Sequence, residues 1–189
     1  MRLFVAIDIP PNIRDALDQL LSRLRPTAKI SWSPVANLHI TTKFIGEWPD
    51  LRLQEIETAL RAFPTRPPLR IEVGGLGWFP NPRSPRVFWV GVHADESLGA
   101  LARDTESALE PLGIARESRP FSPHLTLARI KTPTPLDSLR QAIEKLDSTG
   151  FGAFTASSFF LYRSQPAHSQ HGPTGSIYTR LSEYPLKAE

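Results

Sequence analysis

An α+β fold with antiparallel strands is what this chain predicts, and three observations carry that expectation. Short β-branched, apolar runs are interleaved with segments of helical spacing in a mixed order, not as regular strand–helix repeats. The 19 prolines among 189 residues cluster between those segments and punctuate them. One short string also occurs twice, nearly half a chain apart. His39-Ile40-Thr41-Thr42 and His124-Leu125-Thr126-Leu127 each read His-x-Thr-x inside an apolar run. Such a separation marks a duplicated lobe rather than a short-period solenoid, although outside the motif the two halves share little.

Residues 2–8 read as a buried strand closed by Pro10-Pro11. This start is too short and too soon broken for a signal-peptide core. Proline suits a first helical turn, and Ile13, Leu17, Leu20, Leu21 and Leu24 recur at helical spacing to about Arg25. A short strand, Lys29 to Ser33, leads through Pro34 to the first motif strand, Leu38 to Ile45, which Gly46 ends. Leu51 to Phe63 has the spacing of a second helix, and Pro64 to Pro68 is a connector. Leu69 to Leu76 and Arg86 to Val92 read as strands flanking a loop, Gly77 to Pro85, that holds aromatic and basic residues. Asp95 caps a third helix, Ser97 to Leu112, which Gly113 terminates. Pro120-Phe121-Ser122-Pro123 delivers the second motif strand, His124 to Ile130. A fourth helix fits Leu136 to Leu146, Phe151 to Tyr162 is one strand or two, Arg163 to Gly175 is a polar loop, and Ser176 to Leu181 closes the chain as a strand.

The totals exclude several chemistries. There is no cysteine, so disulfides, thiolate nucleophiles, iron–sulfur clusters and cysteine zinc sites go together. Hydrophobic residues make up 40%, enough for a packed core in one large domain or two small lobes. Net charge +3 and a pI near 9.5 are compatible with an anionic partner without requiring one. No apolar run approaches the roughly 20 residues that span a bilayer, so a cytoplasmic protein with no membrane partner is the default. No Gly-x-x-x-x-Gly-Lys-Ser/Thr string is present, which argues against ATP use through a P-loop, and no Gly-x-Ser-x-Gly elbow is present.

The repeated string carries the chemistry. Alternate side chains of a strand share a face, so His39 with Thr41, and His124 with Thr126, each present an imidazole and a hydroxyl over an apolar back. A lone histidine in a strand is usually structural; two in the same context point to one shared pocket. A neutral and a protonated imidazole make a base and an acid near neutral pH, and threonine hydroxyls can donate to phosphate oxygens without adding charge. Two histidines could instead bind a metal, but neither motif contains a carboxylate and no His-Glu-x-x-His string exists, so metal ranks well below. Lys43, at +4, falls on the face of His39 and could neutralise phosphate charge; a solvated lysine is the competing reading. Arg129, at +5, falls on the opposite face and reaches the phosphate only if the strand ends or bulges. Phe121 is a candidate for base stacking, with core packing as the alternative. Trp32, Trp78 and Phe79 are weaker stacking candidates, with core or rim as the favoured reading; His93 reads as non-catalytic, and His168 and His171 as solvated loop residues.

Taken with their surroundings, these strings resemble the two-histidine (2H) phosphoesterase superfamily, and within it the RNA 2′,3′-cyclic phosphodiesterase branch, also called the 2′-5′ RNA ligase or ThpR family. Met1 to Ala6, Asn37 to Thr41 with Phe44-Ile45-Gly46, Phe79-Pro80 to Trp89, Phe121 to Arg129, and Leu161 to Ser164 with Tyr178 and Leu181 are similar to successive parts of that family. The resemblance implies a single domain over 1–189, built as two intertwined lobes. These would be related by a pseudo-twofold axis, with two antiparallel sheets and outer helices around a central cleft. It implies hydrolysis of a 2′,3′-cyclic phosphate to a 2′-phosphate without metal, cofactor or ATP. His39 would be the proton donor to the departing 3′ oxygen, His124 the proton acceptor, and Thr41 and Thr126 the phosphate holders. RNA ends or nucleotides, tRNA halves among them, would be the substrates of a monomer, and joining to a 5′-hydroxyl the reverse reaction. Lys43 stands where the family often has arginine. A non-catalytic RNA- or nucleotide-binding module is the alternative class.

Overall fold

Two antiparallel sheets, each assembled from strands distant in sequence, place the two motif strands against one another. The structure, a computed structural model, describes residues 1–64, 66–169 and 172–187. In chain order the elements are β1 (Arg2–Asp8), α1 (Pro11–Leu24), β2 (Ser31–Trp32), β3 (His39–Glu47), α2 (Leu53–Arg61), β4 (Leu69–Phe79) and β5 (Val87–Ala94). They continue with α3 (Glu96–Leu109), β6 (His124–Arg129), α4 (Asp137–Glu144), β7 (Gly150–Ala156), β8 (Ser158–Ser169) and β9 (Gly172–Pro185). The first sheet has the order β3-β1-β8-β9 and the second β2-β6-β5-β4-β7. The motif strands β3 and β6 touch across the two sheets. This is the α+β architecture expected.

The helices cover the outer faces and cross between lobes. α1 follows a strand of the first sheet yet packs on β7 of the second, whereas α3 follows β5 of the second and packs on β3 of the first. Ile13, Leu17, Leu20, Leu21 and Leu24 are all buried, as their spacing predicts. Asp95 accepts the Ser97 N–H at 2.9 Å and caps α3. Gly113, at φ 87°, ends the 3-10 turn that follows.

Two segments differ from the sequence expectation. Gly77, Trp78 and Phe79 continue β4 instead of opening a loop, since Trp78 pairs with Phe88 and Phe79 with Val87. Within β4, Gly74 and Gly75 form a bulge where the register shifts between Val73 and Leu76, with Gly75 at φ 77°. The polar loop expected from Arg163 to Gly175 is strand over 163–169 and 172–175: β8 and β9 form a long hairpin paired out to Ser169 and Gly172. Pro166 is tolerated because β1 pairs only as far as Ser164, which leaves the outer part of β8 without a neighbour on that side. Residue 171 and the side chain of residue 168 lie outside the described residues, so the reading of His168 and His171 as solvated falls there.

The register around the motifs decides which side chains reach the cleft. In β1–β3, Ala6 pairs with Thr41 and Val5 with Lys43, so Thr42 is an extra residue. In β5–β6, Trp89 pairs with Thr126 and Phe88 with Ala128, so Leu127 is extra. Both bulges stand three residues after their histidine, and each moves the following positions to the opposite face. Position +4 therefore turns inward, with Lys43 2% and Ala128 0% exposed, while Phe44 at +5 is 57% exposed and Arg129 is exposed as well.

Lys43 is thus not a phosphate ligand, because the bulge breaks the alternation that put it beside His39. Its ammonium donates to the Ala115 carbonyl at 2.6 Å and pairs with Glu106 of α3 at 2.7 Å. Glu106 also accepts the Glu117 N–H at 3.0 Å. The lysine therefore fastens the first motif strand to the segment that leads into the second. Breaking a buried pair strands its partner's charge. Lys43→Met should lower the unfolding free energy in urea by about 3 kcal/mol, and adding Glu106→Gln should recover part of that loss.

Candidate active site

Each histidine opens its strand, and each is tethered by the carbonyl two residues before it. His39 Nδ1 lies 2.7 Å from the Asn37 oxygen, and His124 Nδ1 lies 2.7 Å from the Ser122 oxygen. A carbonyl only accepts, so both Nδ1 atoms carry hydrogen and both Nε2 atoms are left to exchange a proton with a ligand. The leads into the strands are stiffened by proline. Asn37 ends a 3-10 turn after Pro34, with its amide donating to the Ser176 carbonyl at 2.8 Å, and Ser122 sits between Phe121 and Pro123.

Alternation holds over the first three residues of each motif, so Thr41 and Thr126 share the face of their histidines, both half-buried. Neither hydroxyl is bonded to another described residue, whereas the Thr42 hydroxyl on the opposite face donates to the Val5 carbonyl at 3.2 Å. The bulge then delivers Arg129 to the face of His124, the condition on which its role depended, and its positive charge acts on that ring. The matching position on β3 carries Phe44, whose ring lies 6.3 Å from that of Phe4.

Aromatic walls hold both imidazoles. His39 stacks on Phe4 at 4.7 Å and meets Tyr178 edge-on at 5.0 Å. His124 meets Phe79 edge-on at 5.0 Å. Burial pushes both imidazoles below the ordinary histidine range, and the carbonyl tethers act the other way. The remaining influences have opposite signs. Asp8, the register partner of His39, raises its pKa, while Arg129 lowers that of His124. The register partner of His124 is Gly91, where a Cβ would come within 2.6 Å of the Gly74 carbonyl oxygen.

Phe121 is 37% exposed. With His93, Arg103 and Pro123 it lines a surface concavity of about 460 Å³. His93 Nε2 is engaged with the Gly74 carbonyl at 3.0 Å. Among the described residues no group of three His, Asp or Glu side chains is arranged to hold a metal ion, and no helix is long and apolar enough to cross a membrane. Sequence reasoning did not single out Phe4, Asp8 or Tyr178 as site residues, and it weighed Phe79 for stacking with core or rim as the favoured reading. The one available signal was the even-numbered face of β1, masked because Leu3, Val5 and Ile7 on the other face are apolar too.

The LigT-like phosphoesterase model matches this chain twice, at residues 7–89 and 90–169. The RNA 2′,3′-cyclic phosphodiesterase of Archaeoglobus fulgidus is 36% identical over 181 residues, covering 96% of this chain and 98% of that protein. A crystal structure of a Thermus thermophilus protein superposes with a TM-score of 0.81 at 30% identity over all of both chains. E. coli LigT complexed with 3′-AMP superposes at 0.78 with 26% identity, over 99% of this chain and 98% of that one. With a motif strand in each matched half and relatives that span it from end to end, the chain belongs to the LigT-like phosphoesterase family, the two-histidine group that its sequence resembles.

Proposed function

We propose that this protein opens RNA or nucleotide 2′,3′-cyclic phosphates to 2′-phosphates by paired-histidine acid–base catalysis. The observation that carries this is the matched presentation, by each of two strands in contact, of an Nε2 and a threonine hydroxyl that no other described residue engages. The names of the relatives agree with that substrate, and E. coli LigT has been crystallised with 3′-AMP and with ATP.

In this reading the cyclic phosphate sits between the strands. His124, neutral at Nε2, takes a proton from water as its oxygen attacks phosphorus. The bond from phosphorus to the 3′ oxygen breaks, and His39 gives that oxygen its Nε2 proton. The rings finish with their protonation exchanged, and solvent resets them. Each proton transfer is worth on the order of 10²- to 10⁴-fold. Thr41 and Thr126 donate to the non-bridging oxygens, and Arg129 balances their charge. The role assignment is supported by the neighbours: a carboxylate beside His39 favours imidazolium, and a guanidinium beside His124 favours the neutral ring. Phe44, exposed on the face of His39, takes the base in preference to Phe121, which lines a separate concavity. A 5′-hydroxyl in place of water gives the reverse joining reaction through the same steps. Action as a cytoplasmic, metal-independent monomer of one domain, on ends such as those of tRNA halves, belongs to the same proposal.

With chelator present, the protein should convert a 2′,3′-cyclic nucleotide to the 2′-monophosphate; the 3′-monophosphate would contradict the donor assignment. His39→Ala and His124→Ala should each cost at least about 10²-fold in kcat while remaining folded. Tight binding that weakens with salt, with no turnover, would identify a binding module instead.

The pH dependence follows from the direction of the two shifts. Activity falls as pH drops and His124 is protonated, and falls as pH rises and His39 is deprotonated. Since both rings titrate below about 6.5, kcat/KM should be bell-shaped with its maximum on the acidic side of that value. A bound anionic phosphate raises both pKa values, so the kcat profile should lie at higher pH.

A further inference from the structure

The face of the first sheet that carries His39 also carries an ionic cluster that the steps above leave unused. Asp8 Oδ1 accepts the Tyr162 hydroxyl at 2.6 Å, and Oδ2 accepts the guanidinium of Arg180. Arg180 Nε reaches the Tyr162 oxygen at 3.4 Å, and its guanidinium lies 4.0 Å above the Phe160 ring. The arginine side chain is 49% exposed and that of Asp8 26%, so the cation covers the carboxylate. Among the described residues the cluster has no counterpart in the other lobe, where Gly91 occupies the place of Asp8 and has no room for a side chain.

We propose that Arg180 is a positioning residue that, by clasping Asp8, sets how strongly that carboxylate favours the imidazolium of His39. A carboxylate shared with a guanidinium presents less than its full charge to a neighbour. Releasing the clasp leaves the Tyr162 hydroxyl as the remaining partner of that carboxylate and gives His39 more of its charge. The other groups around the ring are Tyr162 from β8 and Tyr178 from β9, and His124 and Arg129 on the cleft face of β6. Lys43 of β3 itself is turned away and paired. The consequence for catalysis rests on the reading of His39 as the acid.

The test is an NMR titration of the His39 ring in the ligand-free protein, for wild type, Arg180→Gln, Asp8→Asn and the double variant, with Arg180→Lys as a check on packing. Arg180→Gln should raise the His39 midpoint by about half a pH unit, and Asp8→Asn should lower it. In the Asp8→Asn background the arginine substitution should move it by less than about a fifth of a unit, and Arg180→Lys should stay near wild type. An unchanged midpoint in Arg180→Gln, or an equal shift with and without Asp8, overturns the proposal. At about pH 8, where turnover follows the protonated fraction of His39, kcat/KM should rise about threefold in Arg180→Gln. A shifted midpoint without that rise supports the clasp and overturns instead the assignment of His39 as the acid.

Discussion

A one-residue bulge, placed three residues after each motif histidine, is the constraint on which the rest depends. Up to the bulge, strand alternation keeps the imidazole and the threonine hydroxyl together on one face. Beyond it, the fourth position is driven inward and the fifth outward. Phe44 and Arg129 owe to that extra residue their place on the faces of His39 and His124, and Lys43 owes to it a buried bond with Glu106. Because Lys43 then holds the segment ahead of His124, the geometry of one motif strand fixes the approach to the other. Local backbone irregularity thereby ties two segments distant in sequence into one cleft.

Within that frame the lobes are alike in backbone and unlike in charge. Both rings are tethered at Nδ1 by a carbonyl two residues earlier, so both offer the same nitrogen. What separates them is the neighbouring strand: Asp8 stands against His39, Gly91 against His124, and Arg129 adds a positive charge on the latter's side. A reaction that needs one proton donor and one acceptor is served by such a pair, since symmetric surroundings would give both rings the same preference. The fifth positions differ as well, an aromatic ring on one lobe and a guanidinium on the other. A substrate with a flat base and an anionic end matches that difference in character.

Much of this was legible in the sequence, and the failures have a common physical source. The helices and β1 follow from apolar spacing, because side-chain period survives wherever the backbone is regular. The two histidines and two threonines follow from alternation over three residues, which the bulges leave intact. Lys43 was misplaced, and Arg129 left conditional, because an inserted residue changes the face of everything after it without changing composition. Gly77 to Phe79 and the outer part of the β8–β9 hairpin read as loops because glycine, proline and serine are poor strand formers in isolation. Pairing with a neighbouring strand overrode that preference. Asp8 and Phe4 went unnoticed because the middle of β1, Leu3 to Ile7, is apolar on both faces, and a charge at each end reads as a strand terminus.

The central claim is that both histidines serve a single phosphorus atom. A crystal structure with a nucleoside 2′-monophosphate addresses it most directly. The account predicts one phosphate with both Nε2 atoms within hydrogen-bond reach, roughly 2.6–3.2 Å, and the Thr41 and Thr126 hydroxyls on its remaining oxygens. A phosphate gripped by one motif alone, with the other ring beyond reach, would contradict it.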